Sequence, residues 1–236
     1  MPTIRLDNVA KIYKNRNRET TAIMDINLRI GQGEFLFFVG SRGAGKSTLL
    51  DVICGAVKPD RGAVYVDDAD LNQGTRREQD RHRACFGRIG QESELNRTMT
   101  VYENMGMSAR RPLLFHKKAE EAAARVEKAL GLVGVGGMGD RYPRDMTPSE
   151  CRRVQMAKAI LRSPSVLLLD NFTDQMDEDT VWDMLHLLNA LNKRGTTVLM
   201  ATNSSYIVNV QRKRVVTLAD GRIAGDVKKG RYGYIG

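Results

Sequence analysis

The sequence predicts an α/β fold: a largely parallel sheet, an antiparallel β region ahead of it, and a helical segment inserted within it. Three observations point there. All-apolar runs of strand length, EFLFFVG, SVLLLD and TTVLMAT, alternate with segments of helical periodicity. The first thirty or so residues instead alternate apolar and polar side chains. Residues from about 92 to 150 differ again, being rich in helix formers and ending in a glycine run.

Taken in order, TIRLDNVAKIY alternates and reaches Tyr13, the polar KNRNRET follows, and AIMDINLRI alternates again. This is an antiparallel hairpin region. Gly31 to Gly33 make a turn into EFLFFVG, a run suited to a strand covered on both faces. After the glycine-rich GSRGAGKST, the segment TLLDVICGAV reads as a helix. Pro59, Asp60 and Gly62 then turn the chain into the short strand AVYVD. In HKKAEEAAARVEKALGL, Val126, Ala129 and Leu130 form a helical apolar stripe, and GLVGVGGMGD ends that helix. Between the last two buried strands, Val181, Met184, Leu185, Leu188 and Leu191 share one helical face. RVVTLADGRIAG closes the chain as a hairpin around Asp220 and Gly221.

Composition narrows the partners. Lys and Arg number 37 against 28 Asp and Glu, a net charge of +9, which favours a polyanionic neighbour: nucleic acid, a nucleotide or an anionic membrane face. The densest stretch is Thr75 to Arg83, followed by Arg110, Arg111, Lys117 and Lys118. No aromatics interleave there, which argues against nucleic acid; a solvated surface is the plain alternative, and lipid headgroups near Arg76 to Arg83 are another. No apolar run approaches the ~18 residues of a membrane span, and the N-terminus lacks the apolar stretch of a signal peptide, so a cytoplasmic location is expected. Cys54, Cys85 and Cys151, like His82, His116 and His186, show no metal-ligand spacing.

The strongest motif is Gly40-Ser41-Arg42-Gly43-Ala44-Gly45-Lys46-Ser47, a full G-x-x-x-x-G-K-S placed after a buried strand and before a helix. Its glycines let backbone amides wrap phosphate, and the following helix adds positive potential. Gly40, Ser41, Gly43, Ala44, Gly45, Lys46, Ser47 and Thr48 are therefore the expected nucleotide-binding residues, with Lys46 on the β- and γ-phosphates and Ser47 on Mg²⁺. The apolar strand ending in Asp170 supplies a carboxylate for the Mg²⁺ shell. Together these define a P-loop NTPase core.

The order of P-loop, glutamine loop, helical insert, signature region, aspartate strand and switch strand resembles the ABC ATPases over essentially the whole chain. GEFLFFVGSRGAGKSTLL, RTMTVYENM, NKRGTTVLMAT, RKRVVTLADGRI and the tail Lys229 to Tyr234 look like the FtsE-like cell-division branch of that family. The resemblance implies one nucleotide-binding domain over 1–236, with a RecA-like core at about 1–91 and 155–236, an antiparallel β subdomain, and an α-helical subdomain inserted at about 92–154. It implies that Tyr13 stacks on adenine; from sequence alone a tyrosine ending a strand is as readily a core or surface residue. Gln91 is implied to reach Mg²⁺ and couple the site to a membrane partner, and Asp177 to lie on the loop that crosses a head-to-tail homodimer. The implied partner is an FtsX-like integral membrane protein, met through Gln91 to Met107 and neighbouring insert residues. The complex would regulate cell-wall hydrolysis with this chain peripheral on the inner membrane face and no nucleic acid bound. A lipoprotein- or drug-export ATPase is the alternative.

Four departures from the family pattern bear on catalysis. Asn171 stands where the family has the general-base glutamate, and an amide accepts no proton near neutral pH. Asn203 replaces the switch histidine. The signature, usually LSGGQ or LSGGE, reads Met146-Thr147-Pro148-Ser149-Glu150, so one glycine amide is lost to Pro148 and the other glycine gains a side chain. Phe172 replaces the usual proline. ATP and Mg²⁺ binding with weak or absent hydrolysis is the expectation; residual turnover through Asp170, Gln91 and a repositioned water is the opposing one.

Overall fold

The computed structural model describes residues 3–15, 18–90, 95–106, 119–174 and 176–233. Gln91, Arg110, Arg111, His116, Lys117, Lys118 and Tyr234 lie outside them.

Strands β1 (Ile4–Asn15) and β2 (Arg18–Ile30) pair antiparallel, as the alternation predicts. With β4 (Arg61–Val66) and β5 (Ala69–Asp70) they form a sheet in the order β2-β1-β4-β5. Ile4, Leu6, Ile26, Leu28, Val64 and Val66 point inward from it. The register shifts between Leu6 and Val9, where Asn8 takes a left-handed φ of 47°; this restores Val9 to the buried face.

The second sheet holds β3 (Phe35–Val39), β6 (Phe86–Ile89), β7 (Val166–Asp170), β8 (Thr197–Ala201), β9 (Arg214–Ala219) and β10 (Arg222–Val227). Its order is β10-β9-β3-β8-β7-β6, parallel throughout except for β10. Every residue of β3, β7 and β8 is buried because both faces are covered. On one face Leu36, Phe38, Leu168 and Leu199 pack with the first sheet and with α1 (Lys46–Ile53). On the other, Phe35, Phe37, Leu167 and Met200 share one cluster with α5 (Pro148–Ile160) and α6 (Glu178–Lys193), and α4 (Ala119–Leu132) joins it through α5. Val126, Leu130, Val154 and Met156 of α4 and α5 belong to this same continuous cluster. At the base of the sheet Arg214 bonds to Glu34 (2.6 Å), to Asp226 (2.6 and 2.8 Å) and to the Arg29 carbonyl (2.9 Å), joining β2, β9, β10 and the turn just before β3.

Three elements differ from expectation. The helix after the P-loop stops at Ile53 instead of running to Val57, because Gly55 turns left-handed at φ 69°. The basic stretch forms α2 (Arg76–Arg83), a helix with no buried residue, held by a capping box between Thr75 and Glu78. A further helix, α7 (Ser205–Gln211), follows β8 and is capped by Ser204. Ahead of α4 lies α3 (Val101–Gly106), where buried Asn104 donates to the carbonyls of Asn96, Met99 and Thr100.

Candidate nucleotide site

The site begins where β3 ends. Gly40 adopts φ 147°, and a Cβ there would sit 2.2 Å from the Leu218 carbonyl oxygen. Gly45 adopts φ 98°, and its Cβ would lie 2.4 Å from the Ala22 oxygen and 2.7 Å from Ile23 Cγ2. The loop thus reaches its shape only because glycine occupies both places. Gly45→Ala is expected to cost about 3 kcal/mol, combining left-handed strain with a backbone clash. Denaturant unfolding of the variant checks this, and an unchanged midpoint would refute it.

Gly45 is the N-cap of α1 and supplies no side-chain cap. By contrast, α2, α5, α6 and α7 are capped by Thr75, Thr147, Asp177 and Ser204. The start of α1, with no acidic residue in its first turn, is thereby available to an anion. Ser41, Arg42 and Gly43 are exposed along the loop while Ala44 is buried beneath it. Lys46 is only 6 % exposed and donates to the carbonyls of Gly40 (2.7 Å) and Ser41 (2.9 Å). Burial lowers its pKa, and the charge of Asp170 opposes that shift.

Asp170 ends β7 at the same edge of the sheet and is 4 % exposed. Burial raises its pKa, opposed by a hydrogen bond from Ser47 and by the charges of Arg88 and Lys46. Lys46, Ser47 and Asp170 are therefore brought together by two strands that are not neighbours, β3 and β7, with β8 between them. One hydroxyl and one carboxylate are hard oxygen donors of the kind that would suit Mg²⁺, and Ser47 and Asp170 would hold it.

Asn171 follows at φ 48° and donates from Nδ2 to Asp170 Oδ1 at 3.2 Å. Its Oδ1 is buried without a protein partner, an acceptor that can hold a water by one of its protons but cannot take that proton away. Phe172, in the place of the family proline, is wholly buried in the core and anchors this turn. Asn203 lies just past β8 with its side chain exposed. Tyr13 pairs with Thr20 near the end of β1, is 43 % exposed, and has Lys11 Nζ 5.6 Å from its ring centroid. Among the described residues no hydrogen bond joins either to Lys46 or Asp170, and Thr48 sits half-buried in the first turn of α1.

The signature region holds an arrangement that the linear sequence conceals. Thr147 Oγ1 accepts from Glu150 N at 3.2 Å, and Glu150 Oε2 accepts from Thr147 N at 2.7 Å. Pro148 has no amide hydrogen, and the Ser149 hydroxyl donates to Asp177 Oδ2 at 2.5 Å. Asp177 also accepts from the amide (2.8 Å) and hydroxyl (2.9 Å) of Thr180. The start of α5 is thus satisfied largely within its own chain.

The Ser149 hydroxyl foremost, and then Thr180, hold the Asp177 carboxyl well below the usual carboxylate range. A depressed folded-state pKa stabilises the protein above the unfolded value of about 4, and this contribution disappears as pH falls through the folded value. Ser149→Ala is therefore expected to lower stability near neutrality, with the gap to wild type narrowing as pH drops below about 4. Urea unfolding across that range tests it; a gap independent of pH contradicts it.

A glycine loop feeding an uncapped helix, with a carboxylate on a nearby parallel strand, defines a P-loop nucleotide-binding protein. A family model for ABC transporters matches residues 23–174, and the chain belongs to that family as an ATP-binding domain. It is similar to the cell division ATP-binding protein FtsE of Mycobacterium tuberculosis, 36% identical over 230 residues and covering 98% of both chains. FtsE of Streptococcus pneumoniae is 34% identical over 234 residues, 99% of each chain. The dimeric post-hydrolysis structure of the ATP-binding cassette MJ0796, bound to ADP and Pi, superposes with a TM-score of 0.85 at 29% identity, covering 97% of this chain and 100% of that one.

Proposed function

We propose that this chain is the FtsE-like nucleotide-binding subunit of a membrane complex, binding ATP with Mg²⁺ and hydrolysing it weakly or not at all. The observation that carries this reading is a contrast within one site. The glycine loop from Gly40 to Thr48 and the Ser47–Asp170 hydrogen bond support phosphate and Mg²⁺ binding, whereas Asn171 offers an amide at the position where a base is needed. Mg²⁺, when bound, would neutralise phosphate charge; Ser47 and Asp170 are its residues, with Gln91 a third from outside the described segments. Tyr13 is the base-stacking residue in this reading and Asn203 a hydrogen-bonding stand-in for the switch histidine.

The proposed assembly is a head-to-tail homodimer of single domains, each with a core at about 1–91 and 155–236 and an insert at about 92–154. In such dimers the signature end of one subunit faces the nucleotide of the other. Here that end lacks one amide at Pro148 and uses the Ser149 hydroxyl in cis. The proposed partner is an FtsX-like integral membrane protein, with this chain peripheral on the cytoplasmic face. Among the described residues no helix is long and apolar enough to cross a membrane. ATP would then act as a switch: a difference in affinity between open and closed dimers suffices to shift their populations without turnover.

The test is to purify the chain with the membrane protein that co-isolates and to measure ATP binding and turnover on one sample. Tight binding with negligible turnover, and an FtsX-type partner, are expected. Turnover at rates typical of the family would falsify the switch reading.

A further inference from the structure

At the end of the core sheet remote from the P-loop, where β3 and β9 begin and β10 ends, a groove of about 610 Å³ opens to solvent. Its lining holds five cations, Arg212, Lys213, Arg214, Lys228 and Lys229, against two carboxylates, Glu34 and Asp226, a surplus of three positive charges. Both carboxylates are engaged by Arg214 alone, at 2.6 Å each. Among the described residues the other four cations make no ion pair.

The chain organises these cations through its backbone. Gly230 N donates to the Lys213 carbonyl at 3.1 Å, and Tyr232 N to Asn209 Oδ1 at 2.9 Å, which draws the tail carrying Lys228 and Lys229 alongside β9. Gly230 permits the close approach, since a Cβ there would lie 2.8 Å from the Val215 side chain. Arg212 is fixed by a left-handed φ of 48° and by its Nε bond to the Asn209 carbonyl at 2.9 Å. Lys213 Nζ lies 5.3 Å from the Phe35 ring centroid, without a carboxylate. Four like charges held together repel one another, and an anion entering the groove relieves that repulsion.

We infer that this groove is a binding site for a phosphate-bearing anion, distinct from the nucleotide site. Ammonium groups without fixed acceptors bind phosphate as point charges, and a surplus of three matches a multiply charged phosphate better than a single carboxylate. The ligand comes either from an anionic lipid headgroup or from a soluble phosphate compound.

Two probes separate those sources: vesicles of phosphatidylcholine with and without phosphatidylglycerol, and pyrophosphate titrated into the full chain saturated with ADP. The triple variant Lys213→Gln/Lys228→Gln/Lys229→Gln is expected to lose binding on the order of a hundredfold, about fivefold per cation. An equal charge change at exposed cations outside the groove, Lys58→Gln/Arg125→Gln/Lys128→Gln, controls for net charge and is expected to cost less than about fivefold. Loss on anionic vesicles assigns a lipid headgroup, and loss confined to pyrophosphate assigns a soluble ligand. Equal losses from the two triples, or none from the first, overturn the proposal. The double variant Lys228→Gln/Lys229→Gln, changed only at exposed positions past β10, repeats the test should the triple fail to fold.

Discussion

Lys46→Ala is expected to weaken ATP binding by about 2–4 kcal/mol, roughly 30- to 700-fold in Kd. Lys46 is buried among carbonyls and faces Asp170, so its ammonium is already desolvated before any ligand arrives. A phosphate entering the loop would meet a charge with little water to displace, the condition under which a charge-assisted hydrogen bond is strongest. Truncation would leave the phosphate facing neutral amides and the carboxylate of Asp170 without its counter-charge. Calorimetric titration with ATP, beside a thermal melt to confirm folding, gives the measurement. Unchanged affinity in a folded variant would remove the phosphate cradle, and the proposed function with it.

The second large effect concerns turnover. Asn171→Glu combined with Pro148→Gly and Ser149→Gly is expected to raise hydrolysis by roughly 10²–10⁴-fold, the range attributed to a positioned base. A carboxylate beside buried Asp170 would have its pKa raised by the like charge, toward the range where a base works best. Asn171→Glu alone should gain less, because the start of α5 would still be closed by its capping box, by proline and by the Ser149–Asp177 bond. The decisive comparison puts glutamine instead of glutamate at 171 in the glycine-restored background. Equal rates for the two would show that the base is not what this site lacks.

The sequence made some of this legible and hid the rest for identifiable reasons. The P-loop was readable because its demands are local: a glycine where the backbone turns left-handed, a lysine and a serine at fixed offsets. The core strands were readable because burial on both faces leaves no polar position in Phe35–Val39 or Val166–Leu169. Helix α2 escaped the periodicity reading because it buries nothing; its only sign is the Thr75 to Glu78 spacing of a capping box. The Ser149–Asp177 bond spans 28 residues and exists only once α5 and α6 are packed, so Ser149 read as mere bulk. Joining the two also required Arg153, which reaches the Val133 carbonyl, Thr180 and Asp183 from α5. The end of α1 shows the converse, since apolar content suggested helix to Val57 while a single glycine decided otherwise.

Helices α4 and α5 share one apolar cluster with the sheet, Val126, Leu130, Val154 and Met156 merging with Phe37, Leu167 and Met200. A lobe with a private interior can swing like a door on a hinge. Swinging α4 and α5 away from the sheet would instead wet apolar surface on both sides of the seam at once, which opposes it. A push on α4 or α5 is therefore expected to be felt at the sheet that carries the P-loop, through the interior they share.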